Sequence, residues 1–272
     1  MILMTSEIHK KQVDREHLLR WITSIVLAPL LIFVIGVASK IWLMLFVVVA
    51  TVIASWELHR ILFQDESSKY HLDPFVFFSL LVPAFAYYYG IRGLLGGMLL
   101  NILACFSEGV SIYGKNDKAL EKLVFRIFHV IYIPYCLAHI ILLDRVWIFF
   151  VLVVIFAGDS GAFYAGRKFG KRKLCPAVSP GKTVEGAIGG FLASLILGLA
   201  FGIIFIGGKT PFEFVLIAAI LNIIGQLGDL GESLIKRSRV VKDSSNILPG
   251  HGGLLDRLDS LLFAFPALYY LL

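Results

Sequence analysis

Long apolar runs separated by short polar segments follow one another along the chain. An apolar run of about 17 to 25 residues is long enough to cross a bilayer as a helix. The pattern predicts nine such spans, near residues 20–39, 41–63, 74–90, 92–112, 123–143, 145–166, 186–207, 211–235 and 253–272. Only the short break from Gly90 to Arg92 separates the third span from the fourth. We therefore expect an all-α, polytopic integral membrane protein.

The composition supports a membrane protein over a soluble one. The 272 residues are 58% hydrophobic with a mean hydropathy of +0.84, whereas soluble domains are about 45–50% apolar even with glycine included. The net charge of +6 is explained first by topology and anionic lipid headgroups, and we recognise no nucleic-acid-binding motif. Cys105, Cys136 and Cys175 lack the spacing of a zinc site.

The distribution of basic residues predicts the orientation. An odd number of spans puts the termini on opposite sides of the membrane. With the N-terminus inside, the outer loops carry only four of the 25 Lys and Arg residues: Lys40, Arg92, Arg145 and Lys209. Basic residues concentrate in cytoplasmic loops, so we expect a cytosolic N-terminus and an outer C-terminus. The polar start of the chain lacks a cleavage signal, so the first span is expected to remain as an anchor.

The chain divides into two regions by its chemistry. Residues 1–120 form an N-terminal transmembrane region of about four helices, in which Glu57 and Glu108 are interpreted as helix-contact or interfacial residues. Residues 121–272 form a C-terminal catalytic region of about five helices, with cytosolic polar loops at 167–185 and 236–252.

The segment 222–260 carries an unusual density of charges for so apolar a chain. Five of its polar residues follow the i, i+3, i+4, i+7, i+8 spacing of one helical face: Asp229, Glu232, Ser233, Lys236 and Arg237. After a turn at Pro249–Gly250, a second helix begins with Asp256, Arg257 and Asp259. Two helices joined by a basic loop predict a cleft suited to a divalent metal and a phosphate-bearing substrate.

Position in the bilayer adds Asp159 to the carboxylates of Asp229, Asp256 and Asp259. Asp159 lies about eight residues from the cytosolic end of its span, at the depth expected for Asp229. Each carboxylate near an apolar span costs about 2.5–3.5 kcal/mol on insertion scales, so retaining several together indicates a use. The alternative reading of the neighbouring cations is that they only flank and anchor helices.

A second polar cluster begins at residue 158 and includes six Lys and Arg residues with Gly and Pro between them. Its Gly-Lys-Thr at 181–183 is not a P-loop, because Pro176 stands where that motif needs glycine. Ser179, Lys182 and Thr183 precede a helix whose free N–H groups favour anions.

Ser233 to Asp259 resembles the signature of the phosphatidate cytidylyltransferase family, the CDP-diacylglycerol synthases. The matching positions are Ser233, Lys236, Arg237, Lys242, Asp243, Pro249, His251, Gly252, Gly253, Asp256, Arg257 and Asp259. Gly228–Asp229 and the block 159–186 resemble the family's other polar motifs. Phe163 departs from the Tyr that bacterial relatives often have. The resemblance covers about the C-terminal 120 residues closely. We call Ser233–Asp259 the signature segment below.

The resemblance implies transfer of a cytidylyl group from CTP to phosphatidic acid with Mg²⁺, giving CDP-diacylglycerol and pyrophosphate. It places the protein in the cell inner membrane with its active site facing the cytosol, and a homodimer is a further expectation. We assign the metal first to Asp229 and Asp256, with Asp259, Asp243 and Asp159 as secondary ligands.

The remaining candidate residues are assigned to the substrates. The cations expected to hold phosphates are Lys182, Lys236, Arg237, Lys242 and Arg257. His251 is assigned to the leaving pyrophosphate, and Ser179, Thr183, Ser233, Gly252 and Gly253 to substrate binding.

Two other functions stay open at this point. An ion-coupled transporter could use the buried carboxylates as a cation site, although the chain lacks a recognisable internal repeat. A CTP-dependent polyprenol kinase would release CDP instead of pyrophosphate.

Overall fold

The computed structural model describes residues 23, 25–63, 74–114, 117–250 and 252–272. About 80% of them are helical, which confirms the predicted all-α membrane protein. The helices are α1 (Ile25–Gly36), α2 (Lys40–Leu62), α3 (Pro74–Phe78), α4 (Leu81–Ile112), α5 (Ala119–Val130), α6 (Cys136–Leu142), α7 (Arg145–Phe169), α8 (Val184–Phe201), α9 (Pro211–Ser238), α10 (Leu255–Leu262) and α11 (Ala264–Leu271). Two π-helical turns, Ile131–Tyr135 and Gly202–Ile206, join α5 to α6 and extend α8.

Six helical segments in the described part of the chain are long and apolar enough to cross a membrane. They are Lys40–Leu62, Val76–Ile112, Ala119–Leu142, Arg145–Phe169, Val184–Ile206 and Pro211–Ser238. The count of nine spans and the orientation therefore stay predictions.

Helix α4 turns back on itself at Gly90. The backbone of Gly90 has φ +63° and ψ −145°, a conformation that interrupts a helix and suits glycine. A Cβ built on Gly97 would lie 3.0 Å from the Cα of Val82, whereas these residues would be about 22 Å apart in one straight helix. The chain thus reverses at the break that separates the predicted segments 74–90 and 92–112.

The predicted continuous span 253–272 is instead two eight-residue helices, α10 and α11, separated at Phe263. Pro266 accounts for this break. Proline has no N–H to donate to the carbonyl four residues earlier, that of Leu262, and its ring crowds that carbonyl.

The predicted loop 167–185 is also more ordered than expected. Helix α7 continues to Phe169, and a two-stranded antiparallel sheet follows, formed by β1 (Lys173–Cys175) and β2 (Ser179–Thr183). Lys173 pairs with Thr183 and Cys175 with Ser179. We call residues 173–183 the hairpin.

Helices α7 and α8 pack through small residues. A Cβ built on Gly161 would lie 2.6 Å from the Cβ of Ala193, and one on Gly190 would lie 2.5 Å from the carbonyl oxygen of Gly158. Such small residues allow membrane helices to approach closely. The contact fixes the part of α7 that carries Asp159 against the first half of α8.

Buried hydrogen bonds join α9 to the same pair. Asn222 Nδ2 donates to Ser194 Oγ at 2.7 Å, and Ser194 Oγ donates to the carbonyl oxygen of Val154 at 2.7 Å. Interhelical hydrogen bonds of this kind hold membrane helices in a defined register. Helices α7, α8 and α9 therefore form one unit around the cavity described next.

Candidate active site

A cavity of about 520 Å³ lies between α7, the hairpin, α8 and α9. Its walls are formed by Gly158, Asp159, Ala162, Phe163, Gly166, Arg167, Leu174, Gly181, Lys182, Thr183, Gly186, Ala187, Gln226 and Asp229. Four of the residues selected from the sequence line it: Asp159, Lys182, Thr183 and Asp229. The volume is in the range of small-molecule sites, about 300–1,000 Å³.

An ion pair crosses this cavity. Nζ of Lys182, at the end of the hairpin, lies 2.5 Å from Oδ2 of Asp229 on α9, and both side chains are partly exposed. The pair joins the two polar clusters of the sequence. Partial exposure leaves both groups accessible to a ligand, and an anionic ligand would compete with Asp229 for the Lys182 ammonium.

Further charges surround the pair. Asp159 interacts electrostatically with Asp229 and with the cations Lys182 and Arg257. Asp259, on α10, is in electrostatic contact with Asp229 and Asp159. Three carboxylates from three helices thus share one region with two cations.

The donor set fits a magnesium ion. Mg²⁺ prefers oxygen ligands and is commonly held by one or two carboxylates plus substrate phosphates and water. Within the described ranges, no three His, Cys, Asp or Glu side chains are grouped so that they could hold a metal ion alone. Asp159 and Asp229, which both line the cavity, supply the one or two carboxylates that such a shared site needs.

The first turn of α8 fixes the hairpin beside the cavity. Thr183 caps the helix, since its Oγ1 accepts a hydrogen bond of 3.1 Å from the N–H of Gly186. Glu185 accepts from the backbone N–H groups of Lys171 at 3.0 Å and Arg172 at 3.2 Å. Glu185, in the first turn of α8, therefore ties the basic segment before the hairpin to that helix. Ser179 lies at the other end of β2.

Asp256 occupies a different environment from Asp229. Its two oxygens accept hydrogen bonds from Lys236 Nζ at 2.7 Å, from the N–H of Ser244 at 3.0 and 3.2 Å, and from the N–H of Gly253 at 2.8 Å. These bonds use about all four lone-pair sites of a carboxylate. Metal binding by Asp256 stays a prediction, and it would require some of these hydrogen bonds to be exchanged.

Lys236 is buried and lies between Asp256 and a second carboxylate, that of Glu232, with which it also forms an ion pair. In this arrangement it connects α9 to α10. Its predicted phosphate contact stays a prediction. In the signature segment, Ser233 is half-buried on α9, whereas Lys242, Asp243 and Arg257 are exposed.

The turn before α10 explains the glycines of the signature segment. Gly252 has φ +82°, and its carbonyl oxygen accepts a hydrogen bond of 2.9 Å from the N–H of Leu248. A Cβ on Gly253 would collide with Ser244 Oγ. Gly252 therefore requires glycine for its backbone conformation, and Gly253 requires it because neighbouring side chains leave no room for a Cβ. His251 lies outside the described residues.

Arg237 connects the signature segment to the hairpin. Its side chain donates to the carbonyl oxygens of Val178 at 3.4 Å and Val241 at 3.2 Å. The candidate residues thus form two neighbouring groups, one lining the cavity and one holding the loop between α9 and α10.

Gln226 and Glu57 make polar contacts in this region, and neither was selected from the sequence as a site residue. Gln226 lines the cavity and donates to Asn222 Oδ1 at 2.6 Å. Gln226 lies one helical turn before Asp229 on the same face of α9, and this spacing could have predicted its place in the site. Glu57 on α2 contacts the loop before α10, and no local pattern in the first 120 residues pointed to that contact.

Known proteins are similar to this chain. The chain is 44% identical over 167 residues to the phosphatidate cytidylyltransferase of Bacillus subtilis. The matched residues are 58% of this chain and 61% of that protein. The chain is 46% identical over 125 residues to the Haemophilus influenzae enzyme of the same name, covering 44% and 43%. The corresponding values for the Staphylococcus saprophyticus protein of that name are 48% over 126 residues, covering 46% and 48%.

The matched part therefore spans about two fifths to three fifths of the length of these relatives. The match to the family as a whole is longer, because residues 18–272 fit the cytidylyltransferase family. On that match, the chain belongs to the cytidylyltransferase family.

Proposed function

We propose that this protein is a phosphatidate cytidylyltransferase, which transfers CMP from CTP to phosphatidic acid and forms CDP-diacylglycerol and pyrophosphate. The observation that carries the proposal is the Lys182–Asp229 pair, 2.5 Å apart across a cavity of about 520 Å³. A cation and carboxylates in one cavity suit a reaction between two phosphate-bearing molecules. The relatives that bear this name support the choice of CTP and phosphatidic acid.

We extend the proposal to the membrane topology. The chain has nine spans, a cytosolic N-terminus and an outer C-terminus in the cell inner membrane. This orientation puts 21 of the 25 Lys and Arg residues on the cytosolic side. The cavity then faces the cytosol, where a soluble nucleotide meets a lipid headgroup. A homodimer is part of the same proposal.

The reaction is an in-line displacement at phosphorus. A phosphate oxygen of phosphatidic acid forms a bond to the α-phosphorus of CTP while the bond from that phosphorus to the bridging oxygen of the β-phosphate breaks. Pyrophosphate leaves with the electron pair. A phosphate dianion is already a nucleophile, so the protein needs mainly to position the two anions and to offset their charge.

The chain's own residues serve these two needs. Lys182 exchanges Asp229 for a phosphate oxygen when substrate enters the cavity. Arg257 and the exposed Lys242 add positive charge from the signature segment, while Arg237 holds that segment to the hairpin. The N-terminus of α8, beside Thr183, adds the positive end of a helix dipole next to the cavity.

Magnesium is the proposed cofactor, held by Asp159 and Asp229 with Asp259 nearby. Asp256, which the sequence assigned first together with Asp229, becomes a secondary candidate beside Asp243. When bound, the ion neutralises charge on the triphosphate oxygens. The electrostatic interactions among Asp159, Asp229 and Asp259 support this assignment, because a cation would offset the repulsion between these carboxylates.

An assay of pyrophosphate release tests the proposal against both alternatives. Purified protein receives CTP, Mg²⁺ and phosphatidic acid in detergent micelles, and pyrophosphate and CDP are measured separately. We expect pyrophosphate and CDP-diacylglycerol in equal amounts, and only when phosphatidic acid is present. CDP as the nucleotide product would favour a kinase. Ion-driven flux in proteoliposomes without CTP consumption would favour a transporter, and either result would refute the proposed reaction.

A further inference from the structure

A carboxylate of the N-terminal region is completely buried against the signature segment. Glu57, near the end of α2, has 0% exposure. Its Oε1 accepts from Ser245 Oγ at 2.5 Å and from the N–H of Leu254 at 2.9 Å. Its Oε2 accepts from Ser244 Oγ at 3.1 Å and from the N–H of Leu255 at 2.7 Å. Four donors therefore use all the lone-pair sites of this carboxylate.

The four donors have a common location. Two are hydroxyl groups of the loop between α9 and α10, residues 239–254, which we call the signature loop. The other two are N–H groups at the start of α10, where a helix leaves its donors unsatisfied and favours a negative charge. A buried carboxylate without such partners would be costly in an apolar span. Glu57 is thus matched to the signature loop by both charge and geometry.

A second carboxylate, that of Asp256, also holds the signature loop. The N–H of Ser244 donates to Asp256 at 3.0 Å, while the hydroxyl of the same residue donates to Glu57. Gly253 lies at the same junction, where an added Cβ would be 2.6 Å from Glu57 Oε1. Two carboxylates from different helices therefore fix the path of the chain into α10.

We propose that Glu57 is a positioning residue of the active site. It holds the signature loop and the first turn of α10, and in this way it sets the positions of Arg257 and Asp259, which interact electrostatically with Asp159 of the cavity wall. It acts through the loop and does not contact the reacting atoms. The proposal rests on the proposed function for its effect on catalysis. It gives the N-terminal region a part in the site.

Hydrogen–deuterium exchange of the purified full-length protein tests the contact without reference to activity. In Glu57→Gln, the amide group replaces an acceptor oxygen by a donor that faces existing donors. We expect exchange of the amides at Ser244, Leu254 and Leu255 to rise about 10- to 100-fold, with α7 and α8 unchanged. Glu57→Asp keeps the charge and is expected to restore part of the protection and part of the turnover.

A matched control is Glu213→Gln. Glu213 also caps a helix N-terminus, accepting from the N–H of Thr210 at 2.7 Å, but it lies at the start of α9 far along the chain from the signature loop. Glutamine is accepted in this type of cap. Protection of the signature loop and formation of CDP-diacylglycerol should both match the wild type.

Unchanged protection of the signature loop in a folded Glu57→Gln protein overturns the proposal. If Glu57→Gln loses protection from exchange throughout the protein, the same measurement is made on Ser245→Ala. That variant removes one hydrogen-bond donor and leaves the Glu57 carboxylate in place. Increased exchange confined to the signature loop then supports the proposal, and wild-type exchange overturns it. A wild-type protein that makes no CDP-diacylglycerol would refute the proposed function, while the exchange result would still report on the contact.

Discussion

Lys182 and Asp229 meet across the cavity at 2.5 Å and connect the end of the hairpin to the middle of α9. Each belongs to a different polar cluster of the sequence, so their contact is what makes the two clusters a single site. The pair also balances its charges in the absence of substrate. On the proposed function, binding of a phosphate group to Lys182 would free Asp229 for a metal ion, and arrival of the nucleotide would then favour formation of the metal site.

The first prediction concerns Asp229. Asp229→Asn keeps the shape of the side chain but removes the charge needed for metal binding, so we expect turnover to fall about 10²-fold or more. Formation of labelled CDP-diacylglycerol from labelled CTP measures the loss. Asp144→Asn is the control, because Asp144 precedes α7 without a side-chain capping bond; its activity should stay within about twofold of wild type. Near-normal turnover by Asp229→Asn would remove this residue from the metal site.

The second prediction separates substrate binding from catalysis at Lys182. Lys182→Ala removes a cation from the cavity wall, and we expect the KM for CTP to rise about 10- to 100-fold, as for loss of a charge-assisted contact. Steady-state kinetics with varied CTP give the result. Lys209→Ala is the matched variant, since Lys209 also faces a carboxylate, that of Glu213 at 4.0 Å, away from the cavity. An unchanged KM for CTP would contradict a role for Lys182 in nucleotide binding.

The third prediction tests the structural role of Lys236. Lys236→Met would leave the buried carboxylates of Glu232 and Asp256 without their cation, which is expected to destabilise the fold by about 3–5 kcal/mol. The midpoint of thermal unfolding in detergent reports the change. Arg239→Met removes a more exposed partner, 3.6 Å from Glu121, and should cost less than about 1 kcal/mol. Equal midpoints for the two variants would mean that Lys236 does not hold α9 to α10.

The fourth prediction concerns the contact between α7 and α8. Gly190→Ala would place a Cβ 2.5 Å from the carbonyl oxygen of Gly158, and we expect overpacking to cost about 1–3 kcal/mol. Gly231→Ala is the control, because no atom lies within 4 Å of a Cβ built there and alanine favours a helix by about 0.5–1 kcal/mol. Thermal unfolding should therefore shift in opposite directions. An unchanged or higher unfolding midpoint for Gly190→Ala would contradict close packing of the two helices at Gly190.

The fifth prediction concerns metal removal. Chelation with EDTA should stop pyrophosphate release, and added Mg²⁺ should restore it, because the carboxylates of the cavity need a cation to act beside a triphosphate. Asp159→Asn should raise the Mg²⁺ concentration for half-maximal activity by about tenfold or more. Full activity in EDTA, or an unchanged Mg²⁺ requirement in the variant, would contradict this site.

Much of the fold was predictable because its signals are local. Apolar length predicted membrane helices, and Gly90 marked the reversal within α4. The face that carries Asp229 was evident from helical spacing, since side chains three and four residues apart must lie together. The hairpin was missed because its strands are short and polar, and the break at Phe263 because the apolar run continues through it.

The sequence by itself determined the family, the helical membrane architecture and the two polar clusters, because hydrophobic length, helical periodicity and fixed motifs are properties of neighbouring residues. Only the tertiary structure decided which charges meet. It placed Asp229 with Lys182 in the open cavity, Asp256 with Lys236 in a buried pair, and Glu57 against the signature loop. These contacts join segments far apart in the chain, and which lone pairs stay available to a ligand depends on them.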